Sequence, residues 1–289
     1  MAQDLILFLQ GVKNPVLDLL FGVFLFLAQP ETAAVLILAV YWCLDKRAGR
    51  KLGLVVVSGS LLNNGVKNIL RIERPFVQNP EIAPEKLETA TGYSFPSGHT
   101  QNAATTGLTL ALFSKRSVYC ALAVFVALMA GMSRMYHGVH SLYDVLGGLV
   151  LGLGWAVLAS WAYDRAEKRP VWYLLFLLPI LLNLLGFFPF WSERPVLWHD
   201  SITTLGLMLG LGVGFYLEER FVHFRTDDGG RKKLLRVAVG AVGAGAILLL
   251  FQFLPAPEWM RLLKYTVFAL WAAYGAPALV EKLPARDRR

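Results

Sequence analysis

His140 and Asp144 are a histidine and a carboxylate four residues apart, next to the start of a long apolar run. If a helix begins at His140, the two side chains share one of its faces. A carboxylate bonded to one imidazole nitrogen fixes the tautomer and makes the other nitrogen more nucleophilic. Arg134, shortly before them, carries a fork of donors that suits phosphate oxygens. The stretch predicts a histidine nucleophile beside an anion, although such a pair alone is more often a helix-end contact.

A second stretch, GYSFPSGHT at residues 92–100, combines a proline, a hydroxyl, a glycine and a histidine before another apolar run. Pro96 suits the start of a helix, and Ser97 can cap it. The free N–H groups at such a helix start bind anions, and Gly98 lets an anion approach the backbone closely. His99 would lie at the rim, where an imidazole can be charged or neutral near pH 7. Taken alone, these residues fit a simple helix cap equally well.

The third stretch, KNILRIERP, places Lys67, Arg71 and Arg74 before Pro75. Their spacings of four and three residues predict that all three cations lie on one face of a helix that Pro75 ends. They either bind an anion or extend to lipid headgroups. The stretch alone does not decide between the two.

The chain that must position these stretches is strongly apolar. Of its 289 residues, 56% are hydrophobic and only 17% are charged, and its mean hydropathy is +0.51. A soluble domain would be about a quarter charged. Apolar runs of roughly 15 to 20 residues can cross a bilayer core, so we predict an all-α, polytopic membrane helix bundle of about ten spans. The predicted spans are 14–29, 31–45, 52–70, 97–114, 117–133, 142–163, 171–189, 202–218, 235–254 and 262–280.

The net charge of +8 comes from basic residues that concentrate in alternate loops and at the end of the chain. These segments are 45–51, 114–117, 164–169, 219–236 and 285–289. The positive-inside rule places all of them, and with ten spans both termini, in the cytoplasm. Membrane topology thus accounts for the excess charge, which argues against a nucleic-acid partner. The loops at 71–96 and 134–141 then face the outside.

Together the three stretches support one interpretation, because all of them lie on the same predicted side of the membrane. They supply cations, a helix N-terminus, a His–Asp pair and a second histidine. This is the set needed for phosphoryl transfer through a phosphohistidine, so we expect neither a metal nor another cofactor. A zinc site is an alternative use of the same residues, and it is disfavoured because the nearby Arg and Lys side chains attract anions. Its ligands would be His99, His137, His140 and Asp144.

These residues resemble the three-part signature of the type 2 phosphatidic acid phosphatase superfamily. The matching parts are Lys67-x6-Arg74-Pro75, Pro96-Ser97-Gly98-His99 and Ser133-Arg134-x5-His140-x3-Asp144. They occur in order within about residues 50–165, and the three-part pattern is far more specific than any single part. The resemblance implies that His140 attacks phosphorus and Asp144 orients it, while His99 protonates the leaving oxygen and then activates water. It also implies a set of phosphate-binding groups, which are Lys67, Arg74, Ser97, Gly98 and Arg134.

Several polar residues lie outside the signature. From the helical spacing, we expect Arg71 to meet a second phosphate or the lipid headgroup region. We expect His137 to be a solvated loop residue rather than a competing proton acceptor. Four polar residues of a later outer loop could extend over the site, although we rather expect them to be solvated loop residues. They are Glu193, Arg194, His199 and Asp200.

The predicted organisation is a six-helix phosphatase core at 1–170 that holds all three motifs, followed by a four-helix membrane extension at 171–289. The longer layout resembles the sphingosine-phosphate and glucose-6-phosphate phosphatase branches of the superfamily. The glycines of the extension suit close packing of helices.

The predicted function is dephosphorylation of a lipid phosphate or diphosphate that reaches the site from within the bilayer, on the outer side of a bacterial plasma membrane. The candidate substrates are phosphatidate, phosphatidylglycerol phosphate, undecaprenyl diphosphate and sphingoid-base phosphates. Three alternatives remain. They are a lipid phosphotransferase using the same intermediate, a glucose-6-phosphatase-like enzyme for a soluble ester, and a transporter that would not need His140 and Asp144. The sequence leaves the lipid undetermined, and also whether the protein forms a homo-oligomer.

Overall fold

The computed structural model describes residues 2–114, 116–187, 198–255 and 257–283, and all regular secondary structure in these ranges is helical. The helices are α1 (Ala2–Gly11), α2 (Pro15–Leu27), α3 (Pro30–Leu44), α4 (Lys46–Leu70), α5 (Pro75–Gln78), α6 (Gly98–Ser114), α7 (Ser117–Tyr136), α8 (Leu142–Ala166), α9 (Leu177–Phe187), α10 (His199–Phe221), α11 (Gly230–Leu250), α12 (Glu258–Leu270) and α13 (Ala276–Glu281). Short 3₁₀ turns occur at Leu87–Thr89 and Pro170–Phe176. The predicted all-α class is confirmed.

Among the described helices, α7, α8, α10 and α11 are long and apolar enough to cross a membrane. The helices α2 and α3 meet this condition only as a pair, and the pair is bent by 52°. It is therefore a broken span or a re-entrant loop, where the sequence predicted two separate spans. The protein is thus an integral membrane protein with four such spans, or five if the bent pair crosses as one. The remaining predicted spans overlap helical segments, with 171–189 divided between a 3₁₀ turn and α9 and 262–280 divided between α12 and α13, and their crossing of the membrane stays a prediction.

The N-terminal helix α1 was not predicted from the sequence, and it packs on the loop between α4 and α6. Its Ile6 belongs to a buried cluster with Ile82 and Tyr136. Gln10 pairs with the backbone of Ala83 in both directions, since its Nε2 donates to the carbonyl at 2.6 Å and its Oε1 accepts from the amide at 3.2 Å. The helix therefore holds the middle of this loop in place.

The chain forms two compact units, and the first contains Met1–Ala34 and Ser58–Ser201. In this unit α6 packs against both α7 and α8 through small residues. A Cβ added at Gly107 of α6 would lie 2.9 Å from the Cβ of Ala123 in α7. A Cβ at Gly152 of α8 would lie 2.8 Å from the Gln101 carbonyl oxygen of α6. Such close approach of helix backbones is typical of membrane bundles.

The second unit contains Val35–Val57 and Ile202–Arg289. The last five residues of α3 form a π-helical turn, and a second one at Trp271–Gly275 joins α12 to α13. Tyr41 Oη donates to the Ala273 carbonyl at 2.7 Å and Trp42 Nε1 to the Ala272 carbonyl at 3.0 Å, so side chains of one turn satisfy carbonyls of the other. Backbone groups within a membrane need such internal partners. The predicted division into a phosphatase core at 1–170 and a membrane extension at 171–289 is a statement about function, and it stays a prediction.

Candidate active site

His140 and Asp144 lie at the start of α8, which begins at Leu142 with Ser141 as its N-cap. The amide of Ser141 donates to Asp144 Oδ2 at 2.6 Å, and the amide of Asp144 donates to Ser141 Oγ at 3.3 Å. This capping box turns the carboxylate back toward the residues before the helix. His140 Nδ1 consequently lies 3.5 Å from Asp144 Oδ2, and both side chains are almost fully buried.

Ser94 is a second partner of this carboxylate and was not identified from the sequence. Its hydroxyl donates to Asp144 Oδ2 at 2.7 Å and lies 3.4 Å from His140 Nδ1. A hydroxyl, a backbone amide and an imidazole therefore surround the same carboxylate oxygen. The only signal for Ser94 in the sequence is its place in the 92–100 stretch, which does not indicate what it contacts.

The other ring nitrogen of His140 faces a cation. Arg74 Nη1 donates to His140 Nε2 at 3.4 Å, which leaves the proton of the neutral ring on Nδ1, beside Asp144. Burial lowers the pKa of His140 well below its usual range; the hydrogen bond to Asp144 opposes this, and the charges of Arg74 and Lys67 reinforce it. The imidazole is therefore neutral at pH 7, with the lone pair of Nε2 directed toward the cations.

The sequence predicted one helix through Lys67, Arg71 and Arg74, and this prediction is wrong beyond residue 70. The helix α4 ends at Leu70, and Arg71 adopts the left-handed backbone conformation with φ of 53°. Its Nε donates to the carbonyl of Asn68 on its own helix at 2.9 Å. Arg74 lies in extended backbone just before α5, so it reaches the site by a turn of the chain and not by helical spacing.

Residues 89–94 form a short connection, which we call the clamp segment, that accepts hydrogen bonds from all three signature cations. The bonds run from Arg134 Nη1 to Thr89 Oγ1 (2.7 Å), from Arg74 Nη2 to Thr91 O (2.6 Å), from Arg74 Nε to Gly92 O (3.1 Å) and from Lys67 Nζ to Tyr93 O (2.6 Å). Burial lowers the pKa of Arg74 to about 10, so this residue keeps its charge at neutral pH. The clamp segment thus holds together three cations whose charges repel one another.

The start of α6 supplies the helix N-terminus that the sequence predicted. The helix begins at Gly98, and the Ser97 amide donates to the Asp144 carbonyl at 2.9 Å, which places the helix start beside α8. A Cβ added at Gly98 would meet only Asn63 Oδ1, at 3.5 Å, so the backbone there is accessible to an anion. His99 is half-buried, and the charges of all three cations act on it.

Arg134 and His137, at the end of α7, are more buried than loop residues would be. Arg134 is fully buried, and its Nε has no hydrogen-bond partner among the described residues. His137 is only 5% exposed and its Nδ1 lies 2.6 Å from the Ser133 carbonyl, so the expectation of a solvated side chain is wrong. Burial lowers the pKa of His137. Within the described ranges no group of three or more His, Cys, Asp or Glu is placed to hold a metal.

Asp200, in the first turn of α10, reaches the clamp segment. Its Oδ2 accepts a hydrogen bond from Thr91 Oγ1 at 2.5 Å. Asp200 and His199 are half-buried and lie in the first turn of a helix, so the expectation that they are loop residues is wrong. The next residue, Ser201, accepts a bond from Asn68 Nδ2 at 3.0 Å. The expectations for Glu193 and Arg194 concern positions outside the described residues.

The arrangement is suited to moving a phosphoryl group. A neutral imidazole has one nitrogen held by a carboxylate and the other directed at cations, and a helix N-terminus lies beside them. Preorganised cations and amides of this kind stabilise the charge of a phosphoryl transition state. The fold and the site therefore define a membrane-embedded helical protein with a buried cationic site that is suited to phosphoryl transfer.

The family follows from the comparisons with known proteins. Residues 48–168 match the PAP2 superfamily, and residues 202–288 match the family described as PAP2 superfamily phosphatase, transmembrane extension. Undecaprenyl-diphosphatase BcrC of Bacillus subtilis is 30% identical over 145 residues, which are 48% of this chain and 72% of that protein. The chain belongs to the PAP2 superfamily, and the resemblance seen in the three motifs is confirmed.

Two further relatives differ in the part of the chain that they cover. Phosphatidylglycerophosphatase B of Bacillus subtilis is 38% identical over 126 residues, 40% of this chain and 58% of that protein. A dihydrosphingosine 1-phosphate phosphatase of Schizosaccharomyces pombe is 28% identical over 229 residues, 70% of this chain and 53% of that protein. The chain thus spans little more than half the length of either relative. No solved structure matches the chain.

Proposed function

We propose that the protein is a lipid phosphate phosphatase that works through a phosphohistidine on His140. The observation that carries this proposal is the position of the His140 ring between opposite charges. Its Nδ1 lies 3.5 Å from Asp144 Oδ2, and its Nε2 lies 3.4 Å from Arg74 Nη1. A nucleophile held by a carboxylate and directed at a phosphate-binding cation is the arrangement that covalent phosphoryl transfer requires.

In the first step, His140 Nε2 attacks phosphorus, the N–P bond forms and the bond from phosphorus to the lipid oxygen breaks. The ring becomes a phosphoimidazolium that keeps its proton on Nδ1, and the Asp144 carboxylate stabilises this positive charge. His99, in its protonated form, gives a proton to the leaving oxygen. The phosphoryl oxygens are bound by the charged groups and the open helix start, namely Lys67, Arg74, Arg134, Ser97 and the Gly98 amide.

In the second step, water attacks phosphorus and His99, now neutral, takes a proton from it. The N–P bond breaks, inorganic phosphate leaves, and His140 returns to its neutral form with the proton still on Nδ1. His99 is half-buried and is the second residue of α6, next to the open helix end at Gly98. Both histidines therefore return to their starting states after each turnover.

The proposed substrate is a lipid phosphate or diphosphate in the bilayer. The relatives named above carry the names of a phosphatidylglycerophosphatase, an undecaprenyl-diphosphatase and a dihydrosphingosine 1-phosphate phosphatase, which share a phosphorylated lipid. A fourth relative, from Porphyromonas gingivalis, is named a lipid A 4'-phosphatase. We also propose that the basic loops face the cytoplasm and that the site lies on the outer side of the membrane. Because α1 packs on the loop between α4 and α6, we propose that the N-terminus lies on the same side as the site, and the predicted ten spans with both termini in the cytoplasm are not retained.

The test is phosphate release by the detergent-purified protein with a chelator present, across a panel of lipid mono- and diphosphates. We expect release without added metal, loss of release in His140→Ala, and an acid-labile phosphoprotein in the wild type. His223→Asn is the matched control, because His223 is exposed, lies in the other compact unit and has a left-handed backbone that Asn also adopts. Release that His140→Ala leaves unchanged would overturn the proposal.

The same panel separates the alternatives. A phosphotransferase would give a newly phosphorylated lipid and little free phosphate when a lipid hydroxyl is offered as acceptor. A phosphatase for soluble esters would prefer glucose 6-phosphate to every lipid. A transporter would move lipid across a vesicle membrane equally well with His140→Ala and Asp144→Asn.

A further inference from the structure

The first turn of α10 contacts both the helix that carries Lys67 and the clamp segment that accepts hydrogen bonds from the cations of the site. Thr91 Oγ1 donates to Asp200 Oδ2 at 2.5 Å, and Asn68 Nδ2 donates to Ser201 Oγ at 3.0 Å. Asn68 is the residue after Lys67 on α4, and Thr91 is in the clamp segment. Asp200 follows the end of the matched phosphatase region at residue 168 and precedes the extension that starts at residue 202. Neither match therefore includes it.

The carbonyl and the hydroxyl of Thr91 bind different partners. Its carbonyl accepts from Arg74 Nη2 at 2.6 Å, while its hydroxyl donates to Asp200. Gly92, the next residue, has φ of 61° and so turns the chain in a conformation that only glycine adopts freely. Its carbonyl accepts from Arg74 Nε at 3.1 Å. The position of the Arg74 guanidinium thus depends on a short, tightly turned connection.

The bond to Asp200 connects the exposed part of this connection to the start of α10. Thr91 is an exposed residue, whereas the opposite end of the clamp segment is held by buried Ser94. The negative charge of Asp200 also acts on both Lys67 and Arg74. Hydrogen bonds to a charged acceptor are the strong ones in proteins, so this contact can hold a turn that would otherwise move.

We propose that Asp200 is a positioning residue, which fixes the clamp segment through Thr91 and thereby sets the affinity of the site for phosphate. The proposal rests on the proposed function, since that identifies the anion. It assigns to the start of α10 a part in the phosphate site. It also implies that phosphate affinity depends on a segment outside the three signature motifs.

The experiment removes the hydrogen bond between Thr91 and Asp200 by changing either partner. These variants are compared with others that keep the bond. Asp200→Ala and Thr91→Val remove the carboxylate and the hydroxyl, respectively. Each should raise the KM for the lipid phosphate, and the Kd for inorganic phosphate, by about tenfold, with a smaller change in kcat. Asp200→Asn and Thr91→Ser keep an acceptor and a donor, so they should preserve both constants. In Asp200→Asn, which also loses a negative charge beside the cations, phosphate should bind at least as tightly as in the wild type.

The double variant Asp200→Ala/Thr91→Val should lose no more affinity than either single variant, because both remove one interaction. Asp18→Ala is the matched control, since Asp18 also lies in the first turn of a helix and accepts from a hydroxyl, Tyr136 Oη, at 2.5 Å. It should leave the KM and the phosphate affinity unchanged. A purely structural role for Asp200 would instead lower the melting temperature and leave the KM of the remaining active protein at the wild-type value.

Phosphate binding is measured by the shift in melting temperature with inorganic phosphate, which requires no turnover. If the wild type binds phosphate and hydrolyses no lipid, the proposed function fails, and Asp200 still stands as a positioning residue when Asp200→Ala weakens binding. Unchanged KM and phosphate affinity in Asp200→Ala, or additive losses in the double variant, would overturn the role of Asp200. A wild type that neither hydrolyses lipid phosphates nor binds phosphate would overturn both.

Discussion

Ser94 Oγ and Asp144 Oδ2 lie 2.7 Å apart although fifty residues separate them in the sequence. Ser94 is also the last residue of the clamp segment, whose carbonyls bind Arg74 and Lys67. One stretch of six residues therefore holds both the carboxylate that orients the nucleophile and the cations proposed to bind phosphate. A movement of this segment would disturb the two functions together.

The variant Ser94→Ala tests this link by removing the contact between the clamp segment and the Asp144 carboxylate. It removes the hydroxyl that donates to Asp144 and leaves the other bonds of the clamp segment in place. A hydrogen bond to a charged group contributes about 1.5–3 kcal/mol, so we expect kcat to fall by roughly ten- to a hundredfold. The KM should change less, because the cations keep their backbone partners. Steady-state kinetics on the best lipid of the panel would measure both constants.

Ser58→Ala is the control for this prediction. Ser58 is equally buried and accepts from Trp155 Nε1 at 3.0 Å, more than two helical turns of α4 before Lys67. Its loss should affect stability and leave kcat unchanged. If both variants lost activity in proportion to their melting temperatures, the effect of Ser94 would be one of folding alone.

The sequence predicted the local parts of this site and missed the parts that depend on the path of the chain. The His140–Asp144 pair is present, although α8 begins at Leu142 and not at His140, so the capping box at Ser141 and not a shared helix face brings the two side chains together. The start of α6 beside the 92–100 stretch is also present. The predicted span 52–70 ends where α4 ends, whereas the helix that was expected to continue through Arg74 to Pro75 does not form, because the chain turns at Arg71.

Long-range contacts account for the other differences. Asp200 contacts Thr91, a residue 109 positions away, and no periodicity connects two such residues. His137 was expected in solvent because it falls in the predicted loop 134–141, but the turn after α7 buries its ring. Apart from α1 and α5, the helical segments were predictable from apolar runs, whereas how many of them cross the membrane depends on bends such as the one of 52° between α2 and α3.

The variant His99→Ala should separate the two proposed steps. Without its proton donor, cleavage of a lipid phosphate should slow by about 10²–10⁴-fold, as is typical for the loss of an acid–base histidine. With para-nitrophenyl phosphate, whose leaving oxygen needs no proton, the first step should remain fast while attack by water stays slow. We therefore expect a burst of one nitrophenol per active protein and a phosphoprotein that accumulates. The same slow rate with both substrates and no burst would contradict the role of His99.

The pH dependence of kcat/KM should report the neutral state of His140. Burial and the nearby cations disfavour the charged imidazolium, so the pKa is lowered and Nε2 stays unprotonated into acidic solution. The acidic limb should therefore lie below the ordinary histidine value of about 6.5. Removing one cation with Arg74→Met should raise this pKa and move the limb to higher pH, whereas Arg74→Lys, which keeps the charge, should leave it nearly in place. If the acidic limb lay at the same pH in Arg74→Met and in Arg74→Lys, the charge of residue 74 would not act on His140.

Two glycines of α8 test whether the start of α6 must lie where it does. A Cβ at Gly148 would be 2.5 Å from the Ser97 carbonyl oxygen, whereas a Cβ at Gly154 would meet nothing within 4 Å. Overpacking of this kind costs about 1–3 kcal/mol when backbone must shift. Because the atom that must move is the backbone of Ser97, Gly148→Ala should displace the open helix end at Gly98 and lower kcat/KM. Gly154→Ala, a control on the same helix, should leave activity and melting temperature near the wild-type values. If Gly148→Ala were as active as Gly154→Ala, the Ser97–Gly98 backbone could not be a phosphate-binding group.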